Sequence, residues 1–411
     1  MIHLVKLIII LLMALITSLS GCTKIKEIKV SDNVKAEVTS KAEDNKIRNQ
    51  PELKKKLSGL ENQVVLSWID DENVLTVNRD SSCLNDSKVI LSSYNVESGE
   101  ITEILNDSRI TRIYDTPFKQ HDGLILLGNR KQAFTFDPKE KNLELVLDVD
   151  KEFPNGVPGS QKSKDQMDLR VLNVQLIKHD YISYVSKLNR EKGKKYAETA
   201  EYTILNYKEN KKYTLEERFS AAGIDCKFDL TGNNIYIGQF AKLTKLNIET
   251  GEKVSMDLSM PSIENIFEDG TLLVYCIEEN GTTYDKERIY KVDFDKKDVT
   301  RYVENYEGKN LSIDSIDFKN QFVCYTYFGD GEDRRQDVAM YGSLKGNKFV
   351  VTDKLFKNNE EEGCNDPREF IFSPNHNKFI VTVSKSKVEK KDDSKFDVTY
   401  LKDDKYLFEL Q

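Results

Sequence analysis

This 411-residue sequence predicts an all-β fold made of repeated four-stranded units. Three observations predict it. Beyond residue 62, short runs of Val, Ile, Leu, Tyr and Phe alternate with polar residues, at the period of two that marks half-buried strands. Amphipathic helical periodicity is not sustained. A unit made of a polar turn opening into an apolar strand recurs along the chain, each time followed by a second hairpin.

The N-terminus is read apart from this pattern. Lys6 precedes ten consecutive apolar residues, Leu7 to Ile16. That run suits a signal h-region and is too short for a bilayer core, which needs about 20. Leu19-Ser20-Gly21-Cys22 follows and resembles the lipobox of bacterial lipoproteins. The resemblance covers the first 22 residues. It implies removal of residues 1–21 and a thioether-linked diacylglyceryl group, with a further acyl chain such as palmitate, on Cys22. It places the chain on the extracytoplasmic face of a cell membrane, and the AT-rich composition hints at a Gram-positive source. Residues 22–61, rich in Lys, Glu, Asp and Asn and lacking aromatics, read as the lipidated cysteine and a charged linker. Short helix is an option around Pro51 to Leu57. The propeller-like region then spans 62–411.

The first hairpin of each unit turns at Asp71, Asp122, Asp180, Gly232, Asp269, Asn320 and His376. The second turns at Ser98-Gly99, Pro138 to Asn142, Glu209-Asn210, Thr250-Gly251, Lys296-Lys297, Gly346-Asn347 and Asp403-Asp404. These tips supply the positive φ or Asx geometry of tight hairpins. A lone four-stranded sheet cannot bury both faces, whereas sheets packed radially around an axis can. The fold class is therefore a β-propeller of seven four-stranded blades, with six or eight as alternatives. Phe372-Ser373-Pro374-Asn375-His376-Asn377-Lys378-Phe379-Ile380 resembles the strand-turn-strand signature of WD40-like, TolB-type propeller repeats, with His376 where glycine is usual. Residues 228–235 and 266–273 are weaker echoes. The resemblance implies the fold and carries no catalytic residue.

The formal charge is −8, and removing residues 1–21 takes away Lys6 and leaves −9. No basic stripe appears, so nucleic acid is not an expected partner. Besides Cys22, five cysteines remain without a Cys-x-x-Cys pair. Cys276 and Cys324 lie in apolar runs and read as buried thiols. Trp68 reads as core packing.

No Gly-x-Ser-x-Gly or His-Glu-x-x-His motif occurs, and phosphate-loop and dinucleotide patterns are absent. His121 and His179 occupy equivalent turns and read as turn residues rather than metal ligands. Asp330 to Asp333 and Asp293 to Asp295 lack the glycine and glutamate of a calcium loop. No catalytic residue, metal or cofactor is predicted.

The second-to-third strand connections are the long ones, where rigid scaffolds carry binding loops. Candidate binding-face residues are Lys187, Arg190 and Lys194 in unit three, Asp330, Asp333, Arg334 and Arg335 in unit six, and Lys387 and Lys390 in unit seven. The function expected is a non-enzymatic binding or scaffold module at the cell envelope. Its partners would be the bilayer, through Cys22, and a protein, peptide or glycan. Alternatives are a glycan- or peptide-acting enzyme with its site at the channel mouth, and a sensor or regulator of a neighbouring membrane system.

Overall fold

The computed structural model describes residues 31–34, 37–38, 51–78, 88–115, 123–160, 168–189, 199–220, 225–229, 232–239, 241–267, 269–278, 286–302, 305–306, 309–316, 321–328, 335–345, 348–357, 364–392 and 395–410, some in backbone only. Among these residues the strands form seven sheets, numbered here in chain order of their innermost strands.

Sheet 1 joins Gln63–Trp68, Asn73–Asn78, Leu91–Asn95 and Ile101–Leu105. Sheet 2 joins Arg112–Asp115, Ile125–Gly128, Gln132–Asp137 and Asn142–Asp148. Sheet 3 joins Gln175–Lys178, Tyr181–Asn189, Thr199–Asn206 and Lys211–Ser220. Sheet 4 joins Asp225–Phe228, Asn234–Gly238, Lys242–Asn247 and Lys253–Asp257. Sheet 5 joins Ser262–Ile266, Leu272–Glu278, Lys286–Asp293 and Asp298–Tyr302. Sheet 6 is built on Lys309–Ile316, Gln321–Phe328, Arg335–Lys345 and Lys348–Lys357. Sheet 7 joins Cys364–Phe372, Lys378–Asp392, Lys395–Leu410 and Pro51–Leu57.

Successive strands within each sheet are antiparallel neighbours, and the inner strands of sheets 2 and 3, 3 and 4, 4 and 5, 6 and 7, and 7 and 1 touch. The apolar clusters lie between sheets. Leu75, Leu91, Ile125 and Phe136 fill the gap between sheets 1 and 2. Leu126, Leu147, Leu176 and Tyr184 fill the next. Tyr202, Ile204, Phe228 and Ile235 join sheets 3 and 4, and Leu243, Ile263 and Val274 join 4 and 5. Tyr341 of sheet 6 stacks on Phe379 of sheet 7. Among the described side chains the apolar cores thus lie between neighbouring sheets, the arrangement of a β-propeller with four-stranded blades.

Ring closure corrects the expected linker. Pro51–Leu57 is neither linker nor helix but the outer strand of sheet 7, in register from Pro51 opposite Leu410 to Leu57 opposite Lys405. The C-terminus supplies three strands of that sheet and the N-terminal side supplies the fourth. The sequence Pro-Glu-Leu-Lys-Lys-Lys-Leu looks like a linker because an outer strand keeps one edge in water. Only Leu57 of it is fully buried. Ser31–Val34 and Glu37–Val38 also carry strand backbone, pairing in parallel with the outer strands of sheets 5 and 6.

The last expected hairpin tip moves for the same reason. Asp403 and Asp404 lie inside the strand Lys395–Leu410 and are buried, because the fourth strand of this sheet does not follow them in the chain. Five of the other tips share one geometry. Asn95, Asp137, Asn206, Asn247 and Asp293 each accept two backbone N–H groups of the turn through Oδ1. Four residues on, Gly99, Lys141, Asn210, Gly251 and Lys297 all have positive φ. Gly346 and Asn347 lie outside the described residues, but Lys345 and Lys348 pair across that tip.

Sheets 1 and 7 are joined by polar contacts as well as apolar ones. Trp68 Nε1 donates to Ile371 O at 2.9 Å, and Tyr94 Oη donates to Ser58 O at 3.1 Å. Glu97 receives Lys55 at 3.1 Å and Lys378 at 3.2 Å. Two single-turn helices missed by the sequence reading, Val149–Glu152 and Leu169–Leu172, lie between sheets 2 and 3, capped by Asp148 and Asp168. Glu152 accepts from the buried Tyr184 hydroxyl at 2.7 Å and pairs with Lys212 at 2.6 Å.

Candidate functional site at the junction of two inner strands

Inner strands alternate core-facing and partly exposed residues. In Asp225–Phe228, Cys226 and Phe228 are buried, leaving Asp225 and Lys227 partly exposed. In Ser262–Ile266, Ile263 is buried and Ser262 and Glu264 are partly exposed. The two strands are neighbours, so these four polar residues meet.

Asp225 Oδ2 accepts the Ile263 backbone N–H and lies 3.1 Å from Ser262 Oγ. Ser262 Oγ also lies 3.4 Å from Glu264 Oε1, so one hydroxyl hydrogen serves two carboxylates. Lys227 Nζ donates to Ile263 O and, at 3.0 Å, to Glu264 O. Burial pushes the Asp225 carboxyl above the usual carboxylate range, and the Glu264 charge adds to this. Lys227, the Ile263 N–H and Ser262 pull the other way and lose.

The approach to this junction is tight. A Cβ on Gly238 would stand 2.3 Å from Pro261 O. Met260, in the segment leading into Ser262, has φ 44° and is 42% exposed. Non-glycine residues adopt this region at a cost, and such positions gather at functional sites. The junction presents two carboxyls, a hydroxyl and an ammonium. That set can hydrogen-bond an amide or sugar hydroxyl, and a carboxyl held up by burial can also donate. The sequence reading missed these residues. Their signal was the alternation in Asp-Cys-Lys-Phe and Ser-Ile-Glu-Asn-Ile, which has no motif.

The expected rim residues are placed differently. Lys187 lies near the end of its strand, opposite Glu201, and pairs with it at 2.6 Å. Arg190, Lys194, Asp330, Asp333 and Arg334 lie outside the described residues. Arg335 opens a strand opposite Phe328. Lys387 and Lys390 correct the loop reading, being strand residues opposite Thr399 and Phe396. The hairpin of sheet 7 runs on to Asp392 opposite Lys395. Cys22 also lies outside the described residues.

His121 lies outside them too. His179 Nδ1 sits 2.8 Å from Asp180 Oδ1, and its carbonyl accepts the Tyr207 hydroxyl, a turn arrangement. Asp293 is occupied as the turn acceptor and by Lys296. Among the described residues no group of three or more His, Cys, Asp or Glu is placed to hold a metal, and no helix is long and apolar enough to cross a membrane. Cys226 and Cys276 are buried, while the Cys324 side chain lies outside the described residues.

No protein-family model matches the sequence, and no curated protein matches it. Solved structures show a distant similarity to it. An oligogalacturonate lyase of Vibrio parahaemolyticus is 10% identical, with 88% of this chain and 97% of that one covered, at a TM-score of 0.48. The β-propeller domain of Myceliophteria thermophila Cps50 is 9% identical, with 88% and 100% covered, at 0.46. A prolyl endopeptidase is 10% identical at 0.49, with 83% of this chain covered and 50% of that one, so the chain spans about half its length.

Proposed function

We propose that this chain is a lipid-anchored extracytoplasmic lipoprotein whose β-propeller, read as seven-bladed, is a non-enzymatic binding or scaffold module at the cell envelope. The observation that carries this reading is Leu19-Ser20-Gly21-Cys22 standing shortly before the strand that closes the propeller. An anchor leading into an outer strand leaves the axial mouths open to a partner. The polar junction of Asp225, Lys227, Ser262 and Glu264 is the recognition point, and a protein, peptide or glycan offering amides or hydroxyls suits it. Metabolic labelling with a tagged fatty acid in a bacterial host tests the anchor. Label on the chain that is lost in Cys22→Ala is the expected result, and an unlabelled chain refutes it.

The alternative, an enzyme acting on envelope glycans or peptides, draws on one observation: the carboxyl of Asp225 is held above its usual range beside Ser262 and Glu264. Incubating the purified chain with cell-wall fragments separates the two. Turnover abolished by Asp225→Asn favours the enzyme, while retention of fragments without turnover favours the module.

A further inference from the structure

Three lysines converge on one buried carboxylate in sheet 7. Lys56 Nζ lies 2.7 Å and Lys402 Nζ 3.6 Å from Asp404 Oδ1, and Lys385 Nζ lies 2.9 Å from Oδ2. The Asp404 side chain is fully enclosed, while the lysine side chains are 42%, 48% and 35% exposed. Lys187, Lys208 and Lys245, by contrast, each meet a separate carboxylate. Here Lys56 and Lys402 share a single oxygen. An oxyanion with several oxygens in front of that pair supplies charge-assisted acceptors that one carboxylate oxygen does not.

The place of the cluster indicates which oxyanion. Lys56 lies on Pro51–Leu57, the outer strand that follows the N-terminal segment. Leu53 on the same strand is 49% exposed, so an aliphatic side chain accompanies the ammonium groups. On the lipid-anchored reading, this strand, which completes sheet 7, follows the membrane-bound cysteine in sequence.

We infer that Lys56, Lys385 and Lys402 dock this edge of the propeller on the phosphate headgroups of an anionic bilayer. The choice of a bilayer as the phosphate source rests on the lipid-anchored reading. The oxyanion chemistry of the cluster does not. Each lysine near an anionic surface contributes roughly a fivefold gain in affinity at physiological salt, and the attraction is screened within about 8 Å.

The test reconstitutes the full chain into phosphatidylcholine nanodiscs, with or without phosphatidylglycerol, and measures lysine acetylation rates by mass spectrometry. Lys208 and Lys245 serve as internal references. Slowing of Lys56 and Lys402 by roughly fivefold in phosphatidylglycerol discs alone, reversed in 1 M salt, is the expected result. Unchanged rates relative to the references overturn the docking site. Slowing by inorganic phosphate on neutral discs, with none from phosphatidylglycerol, overturns the headgroup assignment in favour of a soluble oxyanion. A chain that fails to enter the discs speaks against the anchor, and entry with unprotected lysines speaks against the docking.

Discussion

The indole of Trp68 donates its Nε1 hydrogen to the carbonyl oxygen of Ile371, across 303 positions of sequence and 2.9 Å of space. Both groups are buried, and each belongs to an inner strand, one in the first sheet and one in the last. Trp68→Phe keeps most of the ring and leaves the Ile371 carbonyl without this donor. It should cost about 1–3 kcal/mol, and Trp68→Ala about 3–5 kcal/mol with the cavity added. Chemical denaturation followed by circular dichroism measures both. Equal losses for the two variants would mean that ring volume contributes little at this seam.

Asp404 ties stability to acid pH. Burial alone would raise its pKa, but Lys56 and Lys385 outweigh that and hold it at about 2. The folded value lies below the unfolded one of about 3.9. Its stabilisation is therefore full above pH 4 and is lost as pH falls through 2. The difference is on the order of 2 kcal/mol. Denaturation midpoints between pH 5 and pH 2 should fall more steeply for the parent chain than for Asp404→Asn. Parallel pH profiles would show that the lysine cluster does not stabilise the charged carboxylate.

The general architecture was legible because a repeating turn leaves a repeating trace. Asp137 and Lys141 bear little likeness to Asn247 and Gly251, yet each pair places an Asx acceptor four residues before a positive φ. The closing strand was not legible, since Lys54 to Lys56 have the composition of a linker and their strand partner lies at residues 405–410, far along the chain. The polar junction was hidden for a related reason. Asp225 and Ser262 lie 37 residues apart and meet because successive inner strands are neighbours in space, a relation that spacing along the chain does not encode.

The shared turn geometry predicts substitutions of opposite sign. Lys141 and Lys297 have φ of 54° and 53°, where an L side chain is disfavoured. Lys141→Gly and Lys297→Gly relieve that strain and raise unfolded-chain entropy, for a net gain of about 0.5 kcal/mol. Gly251, at φ 74° with open space around its Cα, should accept Asn at little cost and lose about 1 kcal/mol or more as Val. Melting temperatures of the four variants report this. Destabilisation by both lysine replacements would show that side-chain contacts outweigh backbone strain at these tips.

Gly238 links packing to recognition. Its missing Cβ makes room for the Pro261 carbonyl, which a methyl group would meet at 2.3 Å. That carbonyl belongs to backbone, so Gly238→Ala must displace the segment that carries Met260 and Ser262. The overpacking costs about 1–3 kcal/mol. The displacement separates Ser262 Oγ from Asp225 Oδ2 and removes a donor that opposes the burial effect on Asp225. The Asp225 pKa should therefore rise further in the variant, as followed by carboxyl-carbon NMR titration. Gly128→Ala provides the control, since its methyl would meet Gln132 O at 2.1 Å in sheet 2, remote from this junction. A rise confined to the Gly238 variant ties the carboxyl to the close approach at Pro261, and equal titration curves in both variants would separate the two.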